Sequence, residues 1–189
     1  MTGAGAILPR SFYERGTTVV ARALLGKILA KGDTSGIIVE TEAYPGGDDL
    51  ASHSAAGVTK RTNVIFGPPG YAYVYFIYGM HTCMNIVVGP EGSAGCVLIR
   101  ALEPLAGLPI MRHRRSAARR DRDLASGPGK LTQALAITLD DYGADLTRGE
   151  FVVRQPKRFR SFQIDVTPRI GITKCSDSLL RFVVRSEGI

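Results

Sequence analysis

The chain has 189 residues, 44% of them hydrophobic and 22% charged, which suits one domain spanning 1–189 with a real core. No apolar run approaches a membrane span, and the N-terminus "MTGAGAILPRSFYERG" lacks the basic-then-apolar form of a secretory signal, so neither a membrane nor a secreted protein is expected. The net charge of +7 suits a polyanionic partner such as nucleic acid.

Three widely spaced cysteines, Cys83, Cys96 and Cys175, fit neither a disulfide framework nor a paired metal site. They read as reduced thiols of an intracellular protein.

Residues 11–24, "SFYERGTTVVARAL", read as a helix capped by Ser11 with Glu14 three residues on. "KILAK", the turn "GDTSG" and "GIIVETEAY" read as an antiparallel hairpin. In the second of these strands Glu40, Glu42 and Tyr44 fall on one face, and Ile37, Val39, Thr41 and Ala43 on the other. Two acids on one strand face repel unless something uses or neutralises them. A long loop with about one helical turn follows to residue 70, of a length that is often functional.

"YAYVYFIYG", "TCMNIVVG" and "GCVLIRALEP" read as three successive strands, the first two joined by the tight corner "GMH". Four of the seven tyrosines sit in the first: Tyr71, Tyr73, Tyr75 and Tyr78. This is an ordinary sheet face or a surface for stacking on bases and wedging into a duplex. Leu108–Arg120 reads as a basic helix, either a solvated face or a contact to DNA backbone. A further helix starts near Pro128, and strands and loops complete the chain. Helices scattered among mostly antiparallel strands give an α+β domain.

The acids admit several chemistries. A metal site from Glu42, Asp48 or Asp49 and His53 matches no ligand spacing, so no metal is expected. A carbohydrate hydrolase using Glu40 and Glu42 would have both carboxylates about 6–7 Å apart on one wall. That mechanism needs them to flank the sugar, so a lone Glu activating water is the better geometry. "SGPGK" lacks the first glycine of a phosphate loop, but a phosphate contact at this helix start, aided by Lys130, fits.

Five blocks in order, "VETEAY", the His of "ASHS", "YVYFIYGMHTCMN", "CVLIRALEP" and "SGPGKL", resemble the alkyladenine (3-methyladenine, methylpurine) DNA glycosylase family, and the resemblance extends over nearly the whole chain. It implies a mostly antiparallel, curved sheet flanked by helices, with a protruding β-hairpin that enters the DNA minor groove. It implies a monofunctional hydrolase that flips damaged purines out of duplex DNA and begins base excision repair. The candidate lesions are 3-methyladenine, 7-methylguanine, hypoxanthine and ethenoadenine. The implied general base is Glu42, with Arg100 orienting the water. Tyr44 and His53 on one side and Tyr75 on the other would stack the base, with Asn85 at the pocket floor. Tyr78, beside Met80, would fill the hole left in the duplex. Arg112, Arg115 and Lys130 are candidates for backbone contact. Glu40 has no role in this pattern and should be tied up by a basic group or a backbone donor. No lysine occupies the pocket positions, so strand cleavage through a Schiff base is not expected. No cofactor is implied, and the resemblance points to a monomer. Two departures from the family are His81, where an aromatic or other bulky residue is expected, and the loop 45–52. The rival reading is a non-catalytic domain of the same fold that binds damaged nucleic acid.

Overall fold

The computed structural model describes residues 4–77, 79, 81–158 and 161–185. Among the described residues, nine strands and four α-helices follow in chain order as β1 (Ala4–Ile7), α1 (Arg10–Tyr13), α2 (Thr17–Leu24), β2 (Ile28–Lys31), β3 (Thr34–Tyr44), β4 (Ala72–Ile77), β5 (His81–Val88), β6 (Gly95–Ala106), α3 (Leu108–Arg114), α4 (Pro128–Ala134), β7 (Phe151–Pro156), β8 (Ile164–Thr167) and β9 (Arg181–Val184). All strands belong to one open antiparallel sheet, ordered β1-β7-β2-β3-β6-β5-β4, with β9 joining β3 to β8. This is the α+β class expected. No helix of the described residues is long and apolar enough to cross a membrane.

The period-2 alternation of β4, β5 and β6 gives the sheet two buried faces. Ala72, Val74, Met84, Ile86, Val97 and Ile99 turn to the main core, where α2 adds Val20, Ala21 and Leu24 and α4 adds Leu131 and Ala134. Tyr73, Tyr75, Cys83, Val87, Cys96 and Leu98 turn the other way, into a smaller cluster with Ile65. That second face is unusually aromatic and polar for a core, and it carries the site.

β3 departs from simple alternation. Ile38 is fully buried in the main core with Ala43, whereas Ile37 and Val39 are only half-buried. The ladder to β6 shifts register between Ile38 and Glu40 and again between Glu40 and Thr41. Each irregularity adds a residue to one strand, which turns the following side chains over and re-aims them. The core face therefore runs Ile38, Thr41, Ala43, not Ile37, Val39, Thr41, Ala43. At this bulge β3 also exchanges partners on its other edge, from β2 at Thr34–Ile37 to β9 at Glu40–Glu42.

Other boundaries differ as well. The helix expected over 11–24 is two helices, because Gly16 is extended (φ −52°, ψ 144°) and the chain turns there. Pro9, not Ser11, precedes the first. α3 ends at Arg114 rather than Arg120. Continuing it would stack more arginines along one short helix; instead Arg112 and Arg120 pair with Asp121 and Asp123 in the turn that follows. The β2–β3 connection needs only Gly32 and Asp33, with Lys31 opposite Thr34. The loop 45–70 holds two 3-10 turns, 53–56 and 63–66.

Candidate active site

Glu42 stands at the middle of the sheet, where β3 is flanked by β6 and β9, and its side chain is 0% exposed. A buried carboxylate is tolerated only when matched and hydrogen-bonded. Three donors meet that need. The Tyr44 hydroxyl donates to Oε2 at 2.9 Å. The Ile170 N–H donates to Oε1 at 2.8 Å. Arg100 Nη1 lies 3.2 Å from the same Oε1.

Arg100 also donates through Nε to Glu40 Oε1 at 2.8 Å. Arg181 from β9 donates to that same oxygen at 2.7 Å. So one guanidinium bridges the two acids, a second completes Glu40, and the repulsion along this strand face is resolved. Burial works against the Arg100 charge, but Glu42 and then Glu40 outweigh it and hold the guanidinium more firmly protonated than usual. Burial, reinforced by the Glu42 charge, pushes the Tyr44 hydroxyl well above its ordinary range. It therefore keeps its proton and can only donate to Glu42.

Beside this carboxylate opens a cavity of about 330 Å³. Tyr44, His53, Tyr75, Asn85 and Arg100 line it, together with Tyr73, Cys83 and His81. Glu42 is not among the lining residues, but its three partners, Tyr44, Arg100 and Ile170, all are. Tyr73 and Tyr75 stack along β4 with centroids 5.1 Å apart. The His53 ring meets Tyr75 edge-on at 4.7 Å, so the two form a corner rather than parallel slabs. Burial pushes the Tyr75 hydroxyl well above its ordinary range, and Asn85 on the neighbouring strand partly offsets this.

His53 is kept neutral by burial and then by the Arg61 charge, both of which lower its pKa from 6.5. Its Nδ1 lies 2.9 Å from the Tyr73 hydroxyl. That hydroxyl is pushed up to about 12, mainly by burial, so it keeps its proton and the contact pairs a neutral ring with a neutral hydroxyl. The Cys83 thiol is also raised by burial, which leaves it a poor nucleophile.

Six of the residues expected from sequence are thus brought together: Glu42, Arg100, Tyr44, His53, Tyr75 and Asn85. Tyr78 and Met80, expected at the hairpin tip, lie outside the described residues; β4 and β5 do form that hairpin. Arg112 is exposed and ion-paired with Asp121, Arg115 bonds Gln133, and neither lines the cavity. Lys130 is exposed next to Pro128 and Gly129, which do line it. At Gly129 a Cβ would come within 3.2 Å of His81, so glycine lets α4 close against the hairpin base.

Sequence reasoning missed the Ile170 N–H, because a backbone donor leaves no side-chain signature, and it missed Arg169 and Arg181, which nothing local marks. It placed Tyr73 on the aromatic face but gave it no pocket role, and it weighed Asp49 only as a metal ligand. Among the described residues no three His, Cys, Asp or Glu side chains gather to hold a metal ion.

The comparison with known proteins agrees with this geometry. A family model for methylpurine-DNA glycosylase (MPG) matches residues 11–188, so the chain belongs to the methylpurine-DNA glycosylase family. A protein of Methanoculleus marisnigri is 52% identical over 186 residues, covering 95% of this chain and 96% of its own length. One of Koribacter versatilis is 50% identical over 186 residues, covering 95% and 90%. One of Legionella pneumophila is 45% identical over 187 residues, covering 95% of both. All three bear the name "putative 3-methyladenine DNA glycosylase". The chain is accordingly a DNA glycosylase, a hydrolase of N-glycosidic bonds.

Proposed function

We propose that this chain acts as a monomer on duplex DNA and releases N-alkylated and deaminated purines, with Glu42 as the general base. The candidate substrates are 3-methyladenine, 7-methylguanine, hypoxanthine and ethenoadenine. The observation that carries the reading is the fixed Glu42 carboxylate, whose partners Tyr44, Arg100 and Ile170 all line an aromatic cavity. Among the described residues, Oε2 takes one donor, Tyr44, and keeps capacity for a water.

A purine swung out of the helix enters the cavity and opens the corner between His53 and Tyr75. It stacks on Tyr75 from one side and on Tyr44 and His53 from the other. A neutral His53 suits this task, since a charged ring would repel a cationic alkylpurine. The glycosidic bond breaks, and its electron pair leaves with the base. Water held by Glu42 and Arg100 adds to C1′, and its proton passes to Glu42. The carboxylate charge also stabilises the cationic sugar as it forms. A cationic alkylated purine leaves as a neutral base and needs no acid, whereas hypoxanthine and ethenoadenine leave with the electron pair as anions and take up a proton from solvent water. The Asn85 amide at the pocket floor opposes the exocyclic amine of normal guanine. Tyr78 and Met80, which follow β4 in the chain, hold the space in the duplex, and Lys130 with Arg112 and Arg115 meets the backbone.

The test is single-turnover base release from duplexes carrying one lesion each. Glu42→Gln lowers the rate by about 10²–10⁴-fold while the damaged duplex still binds. Glu40→Gln lowers it far less, because Glu40 serves only to hold Arg100 and Arg181. The product is an intact strand with an abasic site. Normal release by Glu42→Gln removes the assignment, and equal losses in both variants restore the two-carboxylate reading.

A further inference from the structure

The side chain of Arg169 is fully buried, yet it lines no part of the cavity. Its fork grips both oxygens of Asp49, at 2.6 Å and 2.9 Å, and Nη1 also donates to the Ala43 carbonyl at 3.1 Å. The guanidinium lies over the Tyr44 ring, 4.6 Å from its centroid. Asp49 belongs to the loop that leads to His53, and it orders that loop by accepting from Ser52 N at 2.9 Å and Ala51 N at 3.2 Å. The residue after Arg169 is Ile170, whose N–H meets Glu42. This segment follows β8, outside any strand ladder, so side-chain anchors must fix its position. Three parts of the site therefore converge on one guanidinium: the strand bearing Glu42 and Tyr44, the loop bearing His53, and the segment bearing the Ile170 donor.

We propose that Arg169 is a positioning residue for base release: its grip on Asp49 and Ala43 holds the Ile170 N–H on the Glu42 carboxylate and the Tyr44 ring and hydroxyl in register with it. The inference rests on Glu42 as the base. The charged or titratable groups facing Glu42 are Glu40 and Tyr44 from β3, Arg100 from β6, Arg181 from β9 and Arg169 from the segment. Without Arg169 the segment is free to shift, and Glu42 keeps only Tyr44 and Arg100 as firm donors.

The experiment compares Arg169→Gln, Arg169→Lys, Glu42→Gln and the double variant Glu42→Gln/Arg169→Gln on a duplex carrying one 7-methylguanine. Arg169→Gln slows single-turnover release by about 10–100-fold. Its affinity for the damaged duplex stays within about threefold, because the stacking rings remain. The acid-side limb of its rate–pH profile moves to higher pH, because the Ile170 N–H that donates to the charged carboxylate is no longer held on it. Arg169→Lys keeps the cation but not the fork, and gives a smaller loss and a smaller shift in the same direction. It carries the test if the Gln variant does not fold. The double variant is no slower than Glu42→Gln alone, since both changes act through one group. An unmoved limb, or a double variant slower than Glu42→Gln, makes Arg169 a fold clasp only and overturns the proposal. If Glu42→Gln itself releases base normally, the base assignment fails; if it is inactive while both Arg169 variants match the parent, only the present inference fails.

Discussion

Replacing Arg100 with Gln removes the cation shared by two carboxylates. Glu40 keeps Arg181, and its side chain is 16% exposed, so water shares the load. Glu42 keeps the Tyr44 and Ile170 donors but loses its nearest cation at 0% exposure. Breaking a buried pair from one side costs about 3–5 kcal/mol when nothing compensates. With two donors and one arginine retained, about 2–4 kcal/mol is expected here. A chain of this size loses roughly 2–3 kcal/mol of stability per molar urea, so the unfolding midpoint falls by about 1 M. Urea titrations of both proteins at neutral pH provide the check. A deficit under about 1 kcal/mol would refute the view that this guanidinium holds two interior charges together.

His53 supplies a pH test. Its folded pKa lies below 6.5, through burial and then Arg61, so below that pH the unfolded chain binds the extra proton. Stability should decline as the pH falls from 6.5 through the folded value, and His53→Gln should flatten that decline; parallel melting curves for the two proteins across this range would argue against it. Reversing Arg112, Arg115 and Lys130 together should flatten the salt dependence of duplex binding by about 0.9 in log–log slope for each phosphate that is no longer neutralised. An unchanged slope takes all three out of the interface.

The aromatic strand was legible because period-2 alternation is a local property. Tyr73, Tyr75, Cys83 and Asn85 had to share one sheet face once β4 and β5 were recognised as neighbours. The acids of β3 were legible as a problem, since two charges on one face demand partners, and Arg100 lay on a strand that could supply one. The bulge at Glu40 was not, because it arises from the ladder with β6 and from the exchange of β2 for β9 on the opposite edge. The break at Gly16 and the early end of α3 were also missed, because periodicity measures which residues are apolar and not where a helix must turn to pack.

From the sequence alone came the chemistry: a carboxylate, an arginine and an aromatic cluster with a basic surface, in an order that resembles one family. Only the folded chain decided how that carboxylate survives in the interior. Its donors come from residues 44, 100 and 170, and the Asp49–Arg169 clasp that braces them is 120 positions apart. Such pairings are set by the approach of distant segments, whose closure no local pattern encodes.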